Sequence, residues 1–107
     1  MKYLLISFML FSNICLASTE RGTISRILIN INNPDVAYII IDGDNAGKPG
    51  CATNVWEYAL NISTDTGKAL YSLAMSSHMA KKEVLVSGLD VCTHFSAAED
   101  IGYLHTI

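Results

Sequence analysis

The chain has 107 residues, with seven basic and ten acidic side chains and a formal charge of −3. A length of this order allows one domain with a single core of modest stability. A mildly acidic chain without a basic stripe argues against nucleic acid and other phosphate-rich partners.

Met1-Lys2 opens the chain with a positive charge, and Tyr3 to Phe11 (YLLISFMLF) follows as a compact apolar stretch. Cys15-Leu16-Ala17 then places small residues where a signal peptidase reads them. This three-part pattern predicts a leader over residues 1–17, cleaved after Ala17, and a single domain over residues 18–107. The apolar run falls short of the roughly 20 residues that span a bilayer, and Ile14 occupies the position where a lipoprotein signal needs a small residue. Removing residues 1–17 leaves 90 residues and takes one lysine, so the charge becomes −4. No second apolar span follows, and membrane insertion is not expected.

Cys15 departs with the leader, so Cys51 and Cys92 remain as a pair. In an oxidising compartment two such cysteines form a disulfide. Their spacing is neither a CxxC redox motif nor a set of metal ligands. Closing a loop of forty residues predicts roughly 4 kcal/mol of stabilisation on the chain-entropy model.

Thr23 to Ile31 (TISRILINI) alternates with period two and is rich in isoleucine, which predicts a strand. Asn32-Asn33-Pro34-Asp35 reads as a turn, and Val36 to Ile41 as a second strand, so a hairpin is expected. Asp42 to Gly50 reads as a loop. Val55 to Ile62 predicts a third strand with Trp56, Tyr58, Leu60 and Ile62 on one face. Ser63, Thr64, Asp65 and Thr66 offer N-caps for a helix over Lys68 to Lys82. Leu70, Leu73, Ala74, Ser77 and Ala80 share one helical stripe; Tyr71, Met75, His78 and Met79 form a second beside it. Glu83 to Val86 begins a fourth strand, with a bend or bulge expected at Ser87-Gly88, and Ile101 to Ile107 gives a fifth. The fold class is therefore mainly β with one helix, in the order β-β-β-α-β-β. A small five-stranded OB-fold-like barrel carries its helix between the third and fourth strands.

No catalytic or metal motif stands in the chain, and neither an enzyme nor a cofactor is expected. Asp42 to Gly47 fails as a calcium loop because Ala46 and Thr53 occupy ligand positions. The Gly43 to Lys48 stretch fails as a phosphate loop because it is one residue short and Pro49 replaces the hydroxyl residue. His78, His94 and His105 are scattered without ligand spacing, and no nucleophile elbow is present. Asn61-Ile62-Ser63 fits a glycosylation triplet that is common by chance.

Four short segments carry a resemblance. They are Gly22-Thr23-Ile24, Tyr38-Ile39-Ile40-Ile41-Asp42-Gly43, Cys51 ahead of Val55-Trp56, and Lys68-Ala69-Leu70-Tyr71. In these the chain resembles the B subunits of bacterial AB5 toxins, in the subtilase-cytotoxin and typhoid-toxin branch. Arg21 stands where the subtilase-cytotoxin pattern has a serine before the glycine. The resemblance implies an OB-fold protein, periplasmic or secreted, that forms a homopentameric ring, binds a cell-surface glycan and docks a catalytic A subunit. Asp42, Asp44 and Asn45 crowd a loop at a strand end and are the expected polar ligand contacts. Tyr71, Met75 and Met79 are the expected contacts between subunits. The alternative is a monomeric periplasmic accessory or inhibitor domain that binds another protein through a sheet edge.

Overall fold

The computed structural model describes residues 18–44 and 47–107. The expected leader and Asn45 therefore lie outside the described residues. Five strands and one helix follow in the order β1 (Thr19–Asn30), β2 (Asn33–Gly43), β3 (Tyr58–Asn61), α1 (Asp65–Ala80), β4 (Glu83–Gly88) and β5 (Glu99–Thr106). The strands close into a barrel in the order β1-β2-β3-β5-β4, with β4 returning to β1. All pairs are antiparallel except β3 with β5, which meet only at Tyr58↔Glu99 and Ala59↔Asp100. This is the OB-fold-like barrel predicted from the element order, with its helix between β3 and β4.

Hydrophobic alternation places the core, and two bulges shift its phase. In β1, Ser25 is the extra residue between the pairs Ile24↔Ile41 and Arg26↔Ile40. The shift lets Ile24 and Ile27 both reach the interior, although they are three residues apart. In β5, Ser87 pairs with Tyr103 and Gly88 with Ile101, so Gly102 is the extra residue. The bulge expected at Ser87-Gly88 thus has its added residue on the opposite strand. It turns Ile101 and Leu104 inward and leaves Tyr103 and His105 stacked on the outside. The interior gathers Ile39, Ile41, Tyr58, Leu60, Val84 and Val86. Each such side chain contributes about 1.5–3 kcal/mol when fully buried.

Helix α1 starts earlier than its hydrophobic stripe. Thr64 is the N-cap, with its hydroxyl accepting the Gly67 N–H at 2.9 Å. Gly67 lies so close to the Asn61 carbonyl that a Cβ would collide with it, which fixes how the helix leaves β3. The helix lays Ala74 and Ser77 against the barrel, with Leu70, Tyr71 and Leu73 packed beside them. It ends at Lys81, whose left-handed conformation (φ 53°) turns the chain into β4.

Four expected boundaries are corrected. The hairpin turn is confined to Ile31 and Asn32, and Asn33-Pro34 already belongs to β2. Pro34 is tolerated there because the register breaks between Ile29↔Ala37 and Asn30↔Asn33, where no ladder N–H is required. Strand β3 is shorter than Val55–Ile62, and Trp56 leaves the face shared by Tyr58 and Leu60. Strands β1 and β5 begin earlier than predicted, because they bury Glu20, Glu99 and Asp100.

Candidate functional site: an aromatic cleft on the outer face of the barrel

A second apolar cluster lies on the opposite face of the sheet from the main core. Tyr38 and Val36 of β2, Ala59 of β3 and Ala98 form its buried part, and Leu28, Trp56 and Phe95 pack against them. The alternation of β2 and β3 produces this division. Ile39 and Tyr58 point into the barrel while Tyr38 and Ala59 point out. Phe95 meets Tyr38 edge-on at 5.1 Å between ring centres, and Trp56 tilts against Tyr38 at 6.3 Å. Both arrangements are favourable for aromatic quadrupoles.

Leu28, Asn30, Tyr38, Trp56 and Phe95 line an open cleft of about 170 Å³. Its polar groups are held in place. The Tyr38 hydroxyl accepts from Asn33 Nδ2 at 2.8 Å, and Asn30 Oδ1 accepts the Asn32 N–H at 2.9 Å. Trp56 is positioned by its own backbone, whose N–H donates to Asn54 Oδ1 at 3.0 Å.

Trp56 and Phe95, two of the five lining residues, come from two loops that the disulfide joins. Cys51 lies before β3 and Cys92 lies in the connection from β4 to β5, with a Cα–Cα distance of 6.2 Å. The Asn54 N–H donates to the Ala97 carbonyl at 3.0 Å and so ties the same two loops again. Buried acids at the start of β5 order the rest of the loop. The Asp100 carboxylate accepts the N–H groups of Thr93 (2.9 Å) and His94 (3.1 Å) together with the Thr93 hydroxyl. Glu99 Oε2 accepts the Asp90 N–H at 2.9 Å. Backbone bonds from Leu89 to the Asp100 carbonyl and from Asp100 to the Val91 carbonyl complete the frame. Phe95 is therefore carried on a loop tied down on both sides of it, which favours a pre-formed site.

A second cavity of about 260 Å³ opens where β3 and β5 diverge beside the start of α1, with Asn61, Thr66, Leu70, His94 and Gly102 among its lining. His94 Nε2 stands 3.8 Å from Asp100 Oδ2, which turns the ring toward the loop frame.

The interior holds a different chemistry. Tyr58 is fully buried, and its hydroxyl donates to Glu20 Oε1 at 3.3 Å. Glu20 and Glu99 are themselves buried, and Ser18 donates its hydroxyl to Glu99. Burial first, then the neighbouring Glu57 carboxyl, pushes the Glu20 carboxyl up from 4.5 to about 8, with Asp44 adding to the effect. Burial likewise raises the Tyr58 phenol well above its ordinary value.

The residues singled out from sequence are placed apart. Cys51 and Cys92 are bonded to each other. Asp42 and Asp44 are exposed at the end of β2 and line neither cavity. On α1, Tyr71 and Met75 are half-buried and Met79 is 75% exposed. His78 lies on the same stripe, but its Nδ1 is 2.7 Å from the Ile24 carbonyl, so it is engaged with β1. No group of three or more acidic, histidine or cysteine side chains among the described residues could hold a metal ion. No described helix is long and apolar enough to cross a membrane.

No family model, curated protein or solved structure matches the chain. The site therefore stands on its own geometry. Leu28, Asn30, Tyr38, Trp56 and Phe95 come from four separated segments, and sequence reading missed them as a group. No local signal marks the group, because Trp56 keeps period two with Tyr58, Leu60 and Ile62 and so reads as part of the inner face.

Proposed function

We propose that this chain is an exported, non-catalytic binding protein of the AB5 toxin B-subunit kind, and that it takes a sugar ring of a cell-surface glycan in the aromatic cleft. The observation that carries the reading is the cleft itself, with Trp56, Tyr38 and Phe95 converging on a mostly apolar concavity rimmed by Asn30. A pyranose presents an apolar C–H face and a polar rim, and aromatic side chains beside a fixed amide suit both. The volume of about 170 Å³ fits one ring better than a whole oligosaccharide. An OB-type barrel uses the face of its second and third strands, with the flanking 1–2 and 4–5 loops, for oligosaccharides and oligonucleotides. The charge of the chain favours the first of these ligands. Asp42, Asp44 and Asn45 are a second candidate contact, for a longer glycan.

The disulfide is the chemistry of an oxidising compartment and supports export. In a homopentameric ring, Met75 and Met79 would meet a neighbouring copy, with Tyr71 behind them, and an A subunit would dock along the helices. One observation favours the monomeric protein-binding alternative. Beyond Thr23, β1 pairs only with β2, which leaves an open edge toward the exposed Ile29 and Ile31.

A glycan array, followed by calorimetry of the best binder on wild type and Trp56→Ala, tests the reading. The expected result is binding that Trp56→Ala weakens at least about tenfold, which corresponds to about 1.4 kcal/mol. Absence of any glycan binding, or binding indifferent to Trp56→Ala, would overturn it. Solution mass separates the ring from the monomer.

A further inference from the structure

Ser18, the first described residue, is fixed in place. Its carbonyl accepts the Gly88 N–H at 2.8 Å, its hydroxyl donates to Glu99, and its Oγ stands 3.5 Å from the Tyr58 hydroxyl. A Cβ built on Gly47 would come 3.6 Å from its Cα. Ser18 and Glu20 are two residues apart at the start of β1, so both face inward while Thr19 is exposed.

Around this residue the protein has gathered acidic side chains. Glu99 is fully buried and Glu20 is 1% exposed. Among the described residues neither forms an ion pair with lysine, arginine or histidine. Glu20 Oε2, buried, has no hydrogen-bond partner among the described residues. The space about this oxygen is tight, since a Cβ on Gly43 would lie 3.1 Å from it. Among the described residues the titratable groups that face Glu20 are Tyr58, Glu57, Asp44 and, through Ser18, Glu99, and none of them carries a positive charge. A buried carboxylate without a counter-charge is costly, and such groups are normally paired.

We propose that Glu20 and Glu99 form a binding site for the chain's own α-ammonium group, created when a peptidase cuts between Ala17 and Ser18. The inference rests on the cleavage position read from the sequence and is independent of glycan binding. Hydrolysis of the Ala17–Ser18 peptide bond consumes one water. The hydroxyl goes to the Ala17 carbonyl and a hydrogen to the Ser18 nitrogen. The new amine then takes up a proton released by the new Ala17 carboxyl. Only Cα and Cβ separate that nitrogen from the Oγ already bonded to Glu99, so the cation arises beside the carboxylates. Burial first, and then the neighbouring acidic groups, raise the Glu20 carboxyl to about 8; the same acidic neighbours would hold the ammonium above the ordinary α-amine value. Leader removal thereby completes the interior as well as releasing the chain.

The test uses the full chain exported and processed in cells. Mass spectrometry of the purified product should give an N-terminus at Ser18; a cut elsewhere would overturn the processing step on which the inference rests. On the processed protein, the Ser18 α-amine is titrated by NMR and its acylation by an N-hydroxysuccinimide ester is timed at pH 7. The expected pKa lies at least about one unit above the ordinary value near 8, with acylation at least about tenfold slower than for a free peptide. Glu20→Gln should bring both back toward ordinary values. An α-amine that titrates and reacts normally in the processed wild type would overturn the proposal, whether or not the variant folds.

Discussion

Tyr38 and Tyr58 lie on neighbouring strands and are both buried, yet they serve opposite faces of one sheet. The Tyr38 hydroxyl is satisfied by Asn33, and its ring supports a half-open cleft with Trp56 and Phe95. The Tyr58 hydroxyl is turned toward Ser18 and Glu20, inside the barrel. The outer region has the Tyr38 hydroxyl and Asn30 Oδ1 paired and its apolar surface incompletely covered, which suits a ligand site. The inner region has its apolar surface covered and buried carboxyl groups without a cationic partner among the described residues, which is a demand the chain must answer from within. The loop between β4 and β5 joins them, since it carries Phe95 at its middle and Glu99 at its end.

The largest effect should come from breaking that link. Replacing Cys51 and Cys92 by serine should cost roughly 4 kcal/mol on the chain-entropy model, measured by urea denaturation. The Trp56 emission should also move toward that of exposed tryptophan before global unfolding, because the staple borders the cleft. An interior change should leave the cleft alone. Gly88→Ala would place its Cβ inside the Glu99 carboxylate, with an expected cost of about 1–3 kcal/mol and no change in native Trp56 emission.

The interior charge predicts a pH dependence of definite sign. In a chain whose N-terminus is blocked, the folded state keeps the Glu20 proton up to about 8, whereas the unfolded state releases it near 4.5. Stability should therefore fall as pH rises between these values, with the loss complete above the upper one. Glu20→Gln should remove that slope and raise stability at pH 8 by on the order of 2 kcal/mol. A flat profile in the blocked wild-type chain would separate Glu20 from the behaviour argued for it. The smallest effect belongs to the cleft: Asn33→Ala removes one hydrogen bond to Tyr38 and should cost about 1 kcal/mol, without a pH dependence.

The same contrast explains what sequence reading reached. The strand order, the helix and the cysteine pair were legible, because period two, period 3.6 and a single remaining pair of thiols are local signals. The first residues of β1 and β5 were not, because Glu20, Glu99 and Asp100 are acids that hydropathy assigns to the surface while the fold buries them. Asp100 is buried to hold the loop through three hydrogen bonds, a reason visible only in three dimensions. Period two carries Trp56 onto the face of Tyr58 in the sequence, but β3 starts only at Tyr58, so the chain ahead of it is free to turn Trp56 to the other side. The cleft escaped because its lining comes from segments far apart in the chain, and no spacing joins Leu28 to Phe95.

Trp56 is the only tryptophan in the chain and stands in the wall of the cleft, so its emission reports on the central claim directly. Titrating the exported protein with the glycan selected by an array should shift or quench that emission. The change should saturate at the same concentration that calorimetry gives for binding. A glycan that binds measurably while the Trp56 emission stays constant to saturation would place recognition elsewhere and contradict the account.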